Sequence, residues 1–526
     1  MTRQKSDGRT VPDDRRKSVG TRGVERRVGG KAATVKQQER QLQLLLGTAE
    51  KTTAQAGVPD GAAAGSGLLA AAYAGPKPRD KEGTTAPTTM MMEKVAASLE
   101  AAFERVEANK GAPGPDRQST EEVRAHLGEV LPKLEAALLE GSYRPGDIRR
   151  VWIPKSGGGK RGLGIPNVVD RTVQEATRQV LEPVFEPTFH NESHGFRPER
   201  GCQTAIAAAQ RHLEEGYDWL VDIDLEKFFD RVHHQRLMAR LAQRVTDKRV
   251  LALIGRMLKA RVVMPDGVKV STEEGVPQGG PLSPLLSNIV LDELDAELRQ
   301  RGLRFVRYAD DCNIYVGSER AGQRVMASIT RFLERRLRLK VNASKSAVGR
   351  PEGRHFLGFR LRREPEDGHV EVNLSKRSIE RIDNRVREMT PRNWGDKLEC
   401  CIANANVYLR GWIAYFGLCT EEVVRKLHGL DAHIRRRLRA IQLKQWKRRA
   451  TIARRFIQRG VKPKTAWRVV YEGRKSIWAL SHSAPAHLAL RNAYFAALGL
   501  ESLEDRWKRH PARIVVPGQQ LMLPLG

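Results

Sequence analysis

Two adjacent aspartates, Asp310 and Asp311, lie in the segment RFVRYADDCNIYV, between two runs of strand-forming residues. Asp is common in tight turns, so a β-hairpin with a polar tip would explain the pair without further function. The alternative is a site for divalent cations, because adjacent carboxylates repel each other unless a cation lies between them. That hypothesis requires another carboxylate, a phosphate-binding segment and a surface suited to a polyanion.

The segment LVDIDLEKFFD supplies another carboxylate. An apolar strand over residues 220–225 carries Asp222 and Asp224 to its end. Two-metal phosphoryl transfer requires carboxylates from separate strands that converge on two Mg²⁺ ions, and Asp224 and Asp310 together satisfy that requirement. An ordinary helix N-cap role for Asp224 remains open at this point.

The charge balance indicates a polyanionic partner. The chain of 526 residues has 92 Lys and Arg against 62 Asp and Glu, a formal charge of +30. Nucleic acid is the leading partner, and an anionic membrane surface is the competing one. No apolar run has the length of a membrane span, so we expect a cytoplasmic protein without membrane contact. The five cysteines form no C-x-x-C pair, which predicts reduced thiols and a metal site built from oxygen ligands.

The chain is long enough for three or four domains. Residues 1–88 are rich in small and basic residues and predict a flexible leader with one short helix in VKQQERQLQLLLG. Four apolar residues then share one helical face: Val95, Leu99, Phe103 and Val106. Further helices are predicted at about 119–140, 168–188, 202–215, 234–260, 281–301 and 318–338, with strands in RRVWIPK, RGLGIP, WLVDIDL and FLGFRL. Ser119 and Glu122 have capping-box spacing, and basic helical patterns occupy about 375–455.

Several blocks in one order resemble the reverse transcriptases encoded by bacterial group II introns. They are IPKSGGGKRGLGIPNVVDRTVQ, HGFRPERG, DLEKFFD, GVPQGGPLSPLLSNIVLDELD, YADD and FLGF, and the resemblance spans roughly residues 90–526. It implies an α+β right-hand polymerase with fingers and palm at 89–372, followed by an all-α thumb/maturase domain at 373–455. A small basic helical segment at 456–526 is expected to bind DNA. No cysteine follows Cys419, so we expect the subclass without the Cys/His endonuclease of many relatives.

The resemblance also implies roles for individual residues. Asp224, Asp310 and Asp311 match the catalytic carboxylates that hold two Mg²⁺ ions, and Asp222 has no counterpart. Lys345 matches the lysine proposed to protonate the departing pyrophosphate. Four residues match the nucleotide pocket: Lys160 and Arg161, which grip the triphosphate, Phe229, which lies under the sugar and excludes a 2′-hydroxyl, and Gln278, which lines the pocket. A solvated lysine and a core phenylalanine are the plain alternatives for Lys345 and Phe229.

The thumb region predicts a nucleic-acid interface. From Asp431 to Gly460 the chain has eleven basic residues and a single acid, an imbalance that a polyphosphate ligand would neutralise. The residues that we expect to contact nucleic acid are Arg435, Arg436, Arg437, Lys444, Trp446 and Lys447. The expected partners are the host group II intron RNA, an RNA template with a DNA primer, target DNA and deoxynucleoside triphosphates; the sequence leaves the oligomeric state open.

The implied function is RNA-directed DNA synthesis together with binding of the host intron RNA, which promotes splicing and intron mobility. Three alternatives stay open. The chain is a splicing-only maturase if its polymerase site has decayed, which the intact Asp224, Asp310, Asp311 and Gln278 disfavour. It is a domesticated reverse transcriptase for defence or repair if no intron surrounds it. An RNA-dependent RNA polymerase is disfavoured by Phe229.

Overall fold

The computed structural model describes residues 90–154 and 158–510, except for the side chain of Arg474. The predicted leader and its short helix therefore lie outside the described residues. The described residues belong to one compact unit. All five cysteines are free thiols, as predicted.

The body begins with helices that the hydrophobic pattern predicted. Helices α1 (Met91–Ala97) and α2 (Leu99–Ala108) bury the four apolar residues of the predicted face. The predicted helix at 119–140 is two helices, α3 (Thr120–Ala125) and α4 (Leu127–Leu139), with a break at His126. The capping box is confirmed, because Ser119 Oγ accepts from the Glu122 amide and the Glu122 carboxylate accepts from the Ser119 amide.

A small sheet forms the fingers. Strands β1 (Ile148–Pro154) and β2 (Lys160–Ile165) pair as an antiparallel hairpin, with Pro154 opposite Lys160. Strands β4 (Val262–Val263) and β5 (Lys269–Val270) complete the order β2-β1-β4-β5. The predicted hairpin is therefore present, and Lys160 and Arg161 begin its second strand, whereas residues 155–157 of the glycine-rich tip lie outside the described residues.

A four-stranded antiparallel sheet forms the palm, in the order β6-β7-β3-β8. Its strands are β3 (Trp219–Ile223), β6 (Arg304–Tyr308), β7 (Asp311–Val316) and β8 (Ala347–Gly349). Side chains alternate between the two faces of a strand. Val221 and Ile314 consequently join the core shared with the N-terminal helices α1 and α2, whereas Leu220 and Tyr315 join a second core that continues into the thumb.

Helices cover the palm sheet and connect its strands. They are α5 (Val168–Phe185), α6 (Cys202–Glu214), α7 (His234–Ala242), α8 (Lys248–Leu258), α9 (Ser283–Gln300) and α10 (Glu319–Phe332). The predicted helix at 234–260 is two helices because Asp247 caps the second one, accepting a hydrogen bond from the Arg249 amide. A π-helical turn at Leu333–Leu337 extends α10.

The remaining chain is a hairpin followed by helices. The hairpin consists of β9 (Phe359–Arg363) and β10 (Val370–Leu374). The helices are α11 (Lys376–Met389), α12 (Leu398–Phe416), α13 (Val423–Gln445), α14 (Arg449–Gln458), α15 (Pro463–Tyr471), α16 (Ile477–Leu480), α17 (Ala484–Ala489), α18 (Asn492–Ala497) and α19 (Leu503–Lys508). One hydrophobic core runs from the hairpin through Phe456 to Trp507, so the packing is continuous across residue 455.

Candidate active site and nucleic-acid interface

Three aspartates meet at one end of the palm sheet. In the β6–β7 hairpin Tyr308 pairs with Asp311, which leaves Ala309 and Asp310 as the turn. Ala309 has φ +56°, in the left-handed region that non-glycine residues rarely adopt. Strand β3 runs antiparallel to β7 with Ile223 opposite Cys312, so Asp224 follows directly beside Asp311. The structure thus brings together Asp224, Asp310 and Asp311.

Burial and the charges of neighbouring carboxylates raise the pKa of two of these aspartates, Asp310 and Asp311. Burial raises the pKa of Asp310 and the charge of Asp224 adds to this, whereas the Arg161 cation acts in the opposite direction. Burial and the charges of Asp310, Asp224 and Asp222 raise the pKa of Asp311 to about 7. The Asp311 residue is nevertheless exposed to solvent, so the repulsion between carboxylates is the more important cause. A cation at this position would relieve that repulsion.

Lys345 supplies one cation to this end of the sheet. Its ammonium lies 3.3 Å from the nearer carboxylate oxygen of Asp224. The loop that carries Lys345 is tied to the same strand end, because the Asp224 amide donates to Ser346 Oγ and the Asp224 carbonyl accepts from the Asn342 amide. The Lys345 side chain is 62% exposed, so both the catalytic role and the alternative of a solvated surface lysine stay open.

Asp222 has a separate partner. Its carboxylate accepts two hydrogen bonds from the Arg354 guanidinium, at 3.0 and 2.6 Å, and the same guanidinium donates to the Lys345 carbonyl at 2.6 Å. Arg354 therefore joins the β3 strand to the Lys345 loop. The sequence interpretation that Asp222 lies outside the catalytic set agrees with this pairing.

A buried ionic network holds the aspartate turn from behind. The Arg307 guanidinium donates to both carboxylate oxygens of Asp295, at 2.7 and 2.6 Å, and neither side chain is exposed to solvent. It also donates to Asn288 Oδ1, to Ser193 Oγ and, at 2.9 Å, to the Ala309 carbonyl. The last bond fixes the strained residue directly before Asp310.

The HGFRPERG segment packs against the same turn. A Cβ atom on Gly195 would lie 2.3 Å from the Ala309 amide nitrogen, so only glycine fits at this position. The Gly195 carbonyl accepts from Asn288 Nδ2, which connects the segment to the buried network. The sequence alone assigned the HGFRPERG segment no role, and no pattern in it singled out Arg307 or Asp295.

The fingers strand and the PQGG loop meet beside the carboxylates. The Gly164 amide donates to the Gln278 carbonyl at 2.7 Å. Gly279 has φ +131°, and a Cβ atom there would lie 2.5 Å from the Gly164 carbonyl oxygen. Glycine at 279 is therefore required for this close approach. Lys160 and Arg161 are exposed on β2, on the same strand as Gly164.

The two phenylalanines of DLEKFFD separate into different environments. Phe228 is 2% exposed and belongs to the core, whereas Phe229 is only partly buried against it. Their rings meet edge to face with centroids 5.2 Å apart. The Phe229 carbonyl accepts from the Val276 amide, so the ring is held close to the loop that leads to Gln278. This is the arrangement expected if Phe229 lines the nucleotide pocket and Phe228 is structural.

The predicted basic face of the thumb is divided by the structure. Arg437 is buried and donates to Thr390 Oγ1 and to the carbonyls of Thr390 and Arg387, so its assignment to a nucleic-acid surface is wrong. Trp446 is also no free stacking platform, because it packs partly into the core against Phe456.

The other predicted contacts remain nearer to solvent. Lys444 and Lys447 are exposed, and Lys444 donates to Asn393 Oδ1. Arg435 and Arg436 are half-buried, and the Arg436 guanidinium lies 4.1 Å from the ring centroid of Trp478. Their part in binding nucleic acid stays a prediction.

Two family models match consecutive parts of the chain. The model "Reverse transcriptase (RNA-dependent DNA polymerase)" matches residues 153–361, and the model "Group II intron, maturase-specific domain" matches residues 379–459. Protein YkfC of Escherichia coli K12 is 34% identical over 329 residues, which cover 55% of this chain and 86% of YkfC. The chain belongs to the group II intron-encoded reverse transcriptase/maturase family. It is an RNA-directed DNA polymerase with an α+β polymerase body and a helical maturase region.

Other similarities cover less of the partner proteins. The group II intron-encoded protein LtrA of Lactococcus lactis is 39% identical to this reverse transcriptase over 180 residues, 34% of this chain and 30% of LtrA. A solved partial Cas6-RT-Cas1–Cas2 complex aligns with a TM-score of 0.30 and 21% identity over 46% of this chain and 42% of that chain.

Enzymes of this family use divalent metal ions. Within residues 90–154 and 158–510, no group of three His, Cys, Asp or Glu side chains is arranged as a preformed metal site. The carboxylates nevertheless fit such ions, because the pairing of β3, β6 and β7 sets the oxygen ligands of Asp224, Asp310 and Asp311 at one end of the sheet. Among the described residues, no helix is both long and apolar enough to cross a membrane.

Proposed function

We propose that this reverse transcriptase copies an RNA template from a DNA primer, with Asp224, Asp310 and Asp311 holding two Mg²⁺ ions. The observation that carries the proposal is the meeting of these three carboxylates at one end of the palm sheet. When bound, the ions activate the primer 3′-hydroxyl and stabilise the charge on the pyrophosphate. Mg²⁺ prefers carboxylate oxygens, which the three residues supply.

The surrounding residues have distinct proposed roles. Lys160 and Arg161 bind the triphosphate, since charge-assisted bonds from lysine and arginine to phosphate are strong. Phe229 lies under the sugar and excludes a 2′-hydroxyl, and Gln278 lines the nucleotide pocket. Lys345 donates a proton to the leaving pyrophosphate, a step that its position beside Asp224 allows.

Primer extension tests this assignment. The purified chain is given an RNA template, a DNA primer and deoxynucleotides with and without Mg²⁺. We expect extension only with the metal, and a loss of about 100- to 1,000-fold for Asp310→Asn, the order of magnitude of losing a central electrostatic group. Asp266→Asn, which changes an exposed carboxylate in the β4–β5 turn, is the matched control. Normal extension by Asp310→Asn would refute the assignment.

We also propose that the maturase region binds the host intron RNA and thereby promotes splicing and mobility. The match of residues 379–459 to the maturase-specific domain supports this function. The intron RNA supplies its own catalytic metals, so the protein need only stabilise the active fold of the RNA. Target DNA is the further expected partner of residues 456–526.

Sequencing of RNA that co-purifies with the tagged protein from its native host tests the maturase function. One dominant RNA that contains the protein's own coding region, with spliced flanking exons in the cell, is the expected result. A scatter of unrelated cellular RNAs would instead assign the polymerase to defence or repair.

A further inference from the structure

Helix α10 turns one apolar face toward the palm sheet. Ile329 and Leu333 have no exposed surface, and a Cβ atom on Gly322 would meet the side chains of Val348 and Val316 at 2.5 and 3.5 Å. The helix is thus pressed against the sheet on this side. Its opposite side is the outer surface of the palm.

That outer surface carries four arginines, which we call the arginine stripe: Arg320, Arg324, Arg331 and Arg335. The first three, separated by four and seven residues, lie within roughly 40° of arc on an α-helix that turns about 100° per residue. Arg335 follows Arg331 by four residues, in the π-helical turn that extends the helix. At about 1.5 Å per residue the stripe is about 22 Å long. All four are exposed, and Arg338 continues the series at the C-cap of the π-helical turn.

The arginine stripe forms no ion pair within residues 90–154 and 158–510. None of its four guanidiniums forms an ion pair or lies over an aromatic ring there; Arg331 donates only to the Ala327 carbonyl. The acids of this helical segment, Glu319 and Glu334, form no ion pair with it either. A solvated helical face usually alternates charges and pairs them, so a face that carries arginine without paired acids points to an external anion.

The composition of the stripe narrows the identity of that anion. The large hydrophobic side chains that are exposed among the described residues include none from 319–338. A membrane surface needs an exposed apolar face to insert, and base stacking needs exposed aromatic rings. Arginine instead suits phosphate oxygens, which its planar guanidinium can bind with two parallel hydrogen bonds.

We infer that the arginine stripe binds the phosphate backbone of a helical region of RNA, outside the polymerase cleft and without sequence preference. The inference rests on the proposed RNA binding of this chain and adds a second contact surface to the maturase region. The chain after the stripe leads to the active site, because the Lys340 carbonyl accepts from the Glu226 amide two residues beyond Asp224. RNA bound to the stripe would therefore be held against the palm itself.

Salt dependence provides the test. Binding of a labelled RNA hairpin to the full chain is measured over a series of salt concentrations, for the wild type and for a variant with all four stripe arginines changed to Gln. Each phosphate contact contributes about 0.9 to the slope of log affinity against log salt for a duplex. We therefore expect the slope to fall in magnitude by about 3 to 4 in the variant.

Two controls separate this contact from the general charge of the protein. Changing the same four residues to Lys retains the charges and is expected to retain the slope. A charge-matched variant changes four exposed basic residues elsewhere to Gln: Lys94, Arg236, Lys248 and Arg299. Its slope is expected to stay within about 0.9 of the wild-type slope, which is the contribution of one phosphate contact. An equal loss of slope in both Gln variants, or an unchanged slope in the stripe variant, would overturn the inference.

A DNA duplex of the same sequence distinguishes RNA from other polyphosphates. A larger loss of slope on the DNA duplex than on the RNA hairpin would overturn the assignment to RNA. Primer extension on a short primer–template, measured on the same preparations, reports on the proposed polymerase separately. Absent extension in the wild type would contradict that function, whatever the slope of the stripe variant.

Discussion

Replacement of Asp295 by Asn removes one charge from the network behind the catalytic turn. The side chain keeps its shape, but the fully buried Arg307 guanidinium loses its counter-ion. Breaking a buried ion pair on one side costs about 3–5 kcal/mol, because an uncompensated charge remains in the interior. Domains are stable by only about 5–15 kcal/mol, so we expect the palm hairpin to open far more often.

A second variant separates stability from catalysis. Changing Asp295 to Leu and Arg307 to Met together removes both charges, and well-packed apolar replacements of buried ion pairs are often neutral. The double variant still lacks the donor to the Ala309 carbonyl, which normally sits 2.9 Å from Arg307. We expect it to be less destabilised than Asp295→Asn by at least about 2 kcal/mol, yet still slow, because a misplacement of about 1 Å at a catalytic group costs roughly 100-fold in rate.

Amide hydrogen exchange of the β6–β7 hairpin measures the local free energy of opening, and single-turnover extension measures the chemical step. The reasoning about buried charge fails if Asp295→Asn lowers the opening free energy by less than about 1 kcal/mol. The reasoning about positioning fails if the double variant extends primers at the wild-type rate. If the double variant exchanges its hairpin amides at the wild-type rate but extends primers slowly, the slow chemical step cannot be due to lower stability. That result would assign Arg307 a role in positioning the aspartate turn.

Three further substitutions have defined outcomes. Phe229→Ala is expected to raise ribonucleotide incorporation relative to deoxynucleotide incorporation by about tenfold or more, which corresponds to about 1.4 kcal/mol of discrimination. Phe229→Tyr is expected to retain the wild-type selectivity. Equal selectivity in the wild type and both variants would exclude Phe229 as the residue that rejects the 2′-hydroxyl. Gly195→Ala forces a Cβ atom to within 2.3 Å of the Ala309 amide nitrogen and should slow extension without changing RNA affinity, as measured by titration. Arg437→Gln should lower the free energy of unfolding by about 1–3 kcal/mol, because the carbonyls near Thr390 lose their donor. Unchanged stability in denaturant together with weaker RNA binding would instead indicate that Arg437 contacts nucleic acid.

Local patterns in the sequence predicted much of the fold. The apolar face from Val95 to Val106 and the Ser119 capping box depend on neighbours within a few residues, and both are present. The catalytic hairpin was also predicted, because two strand-forming runs flank a turn. The pairing of Asp224 with Asp310 was predicted from the need of two-metal chemistry for carboxylates on separate strands, and the register of β3 against β7 brings the two strand ends together.

Interactions between distant segments could not be read in the same way. In RFVRY, Arg307 resembles an ordinary polar strand residue, and Asp295 resembles a surface acid of an amphipathic helix. Only the packing of α9 against β6 turns them into a buried pair. Arg437 had a local signal that the charge count obscured: it lies three residues after Ile434 and four before Ile441, on the helical face that both of these buried residues share.

The pairing of Arg307 with Asp295 also bears on the charge of the three aspartates that we propose as metal ligands. Arg307 is the arginine closest in sequence to the catalytic turn, but its charge is compensated by Asp295 inside the protein. Asp310 and Asp311 consequently gain a fixed backbone position from Arg307 without being neutralised by it, and the pKa of Asp311 stays raised at about 7. The positive charges that do act on these carboxylates come from Lys345, which lies 3.3 Å from Asp224, and from Arg161, which acts to lower the pKa of Asp310. A buried pair of this kind holds the turn in place without supplying a positive charge that would compete with the proposed divalent ions.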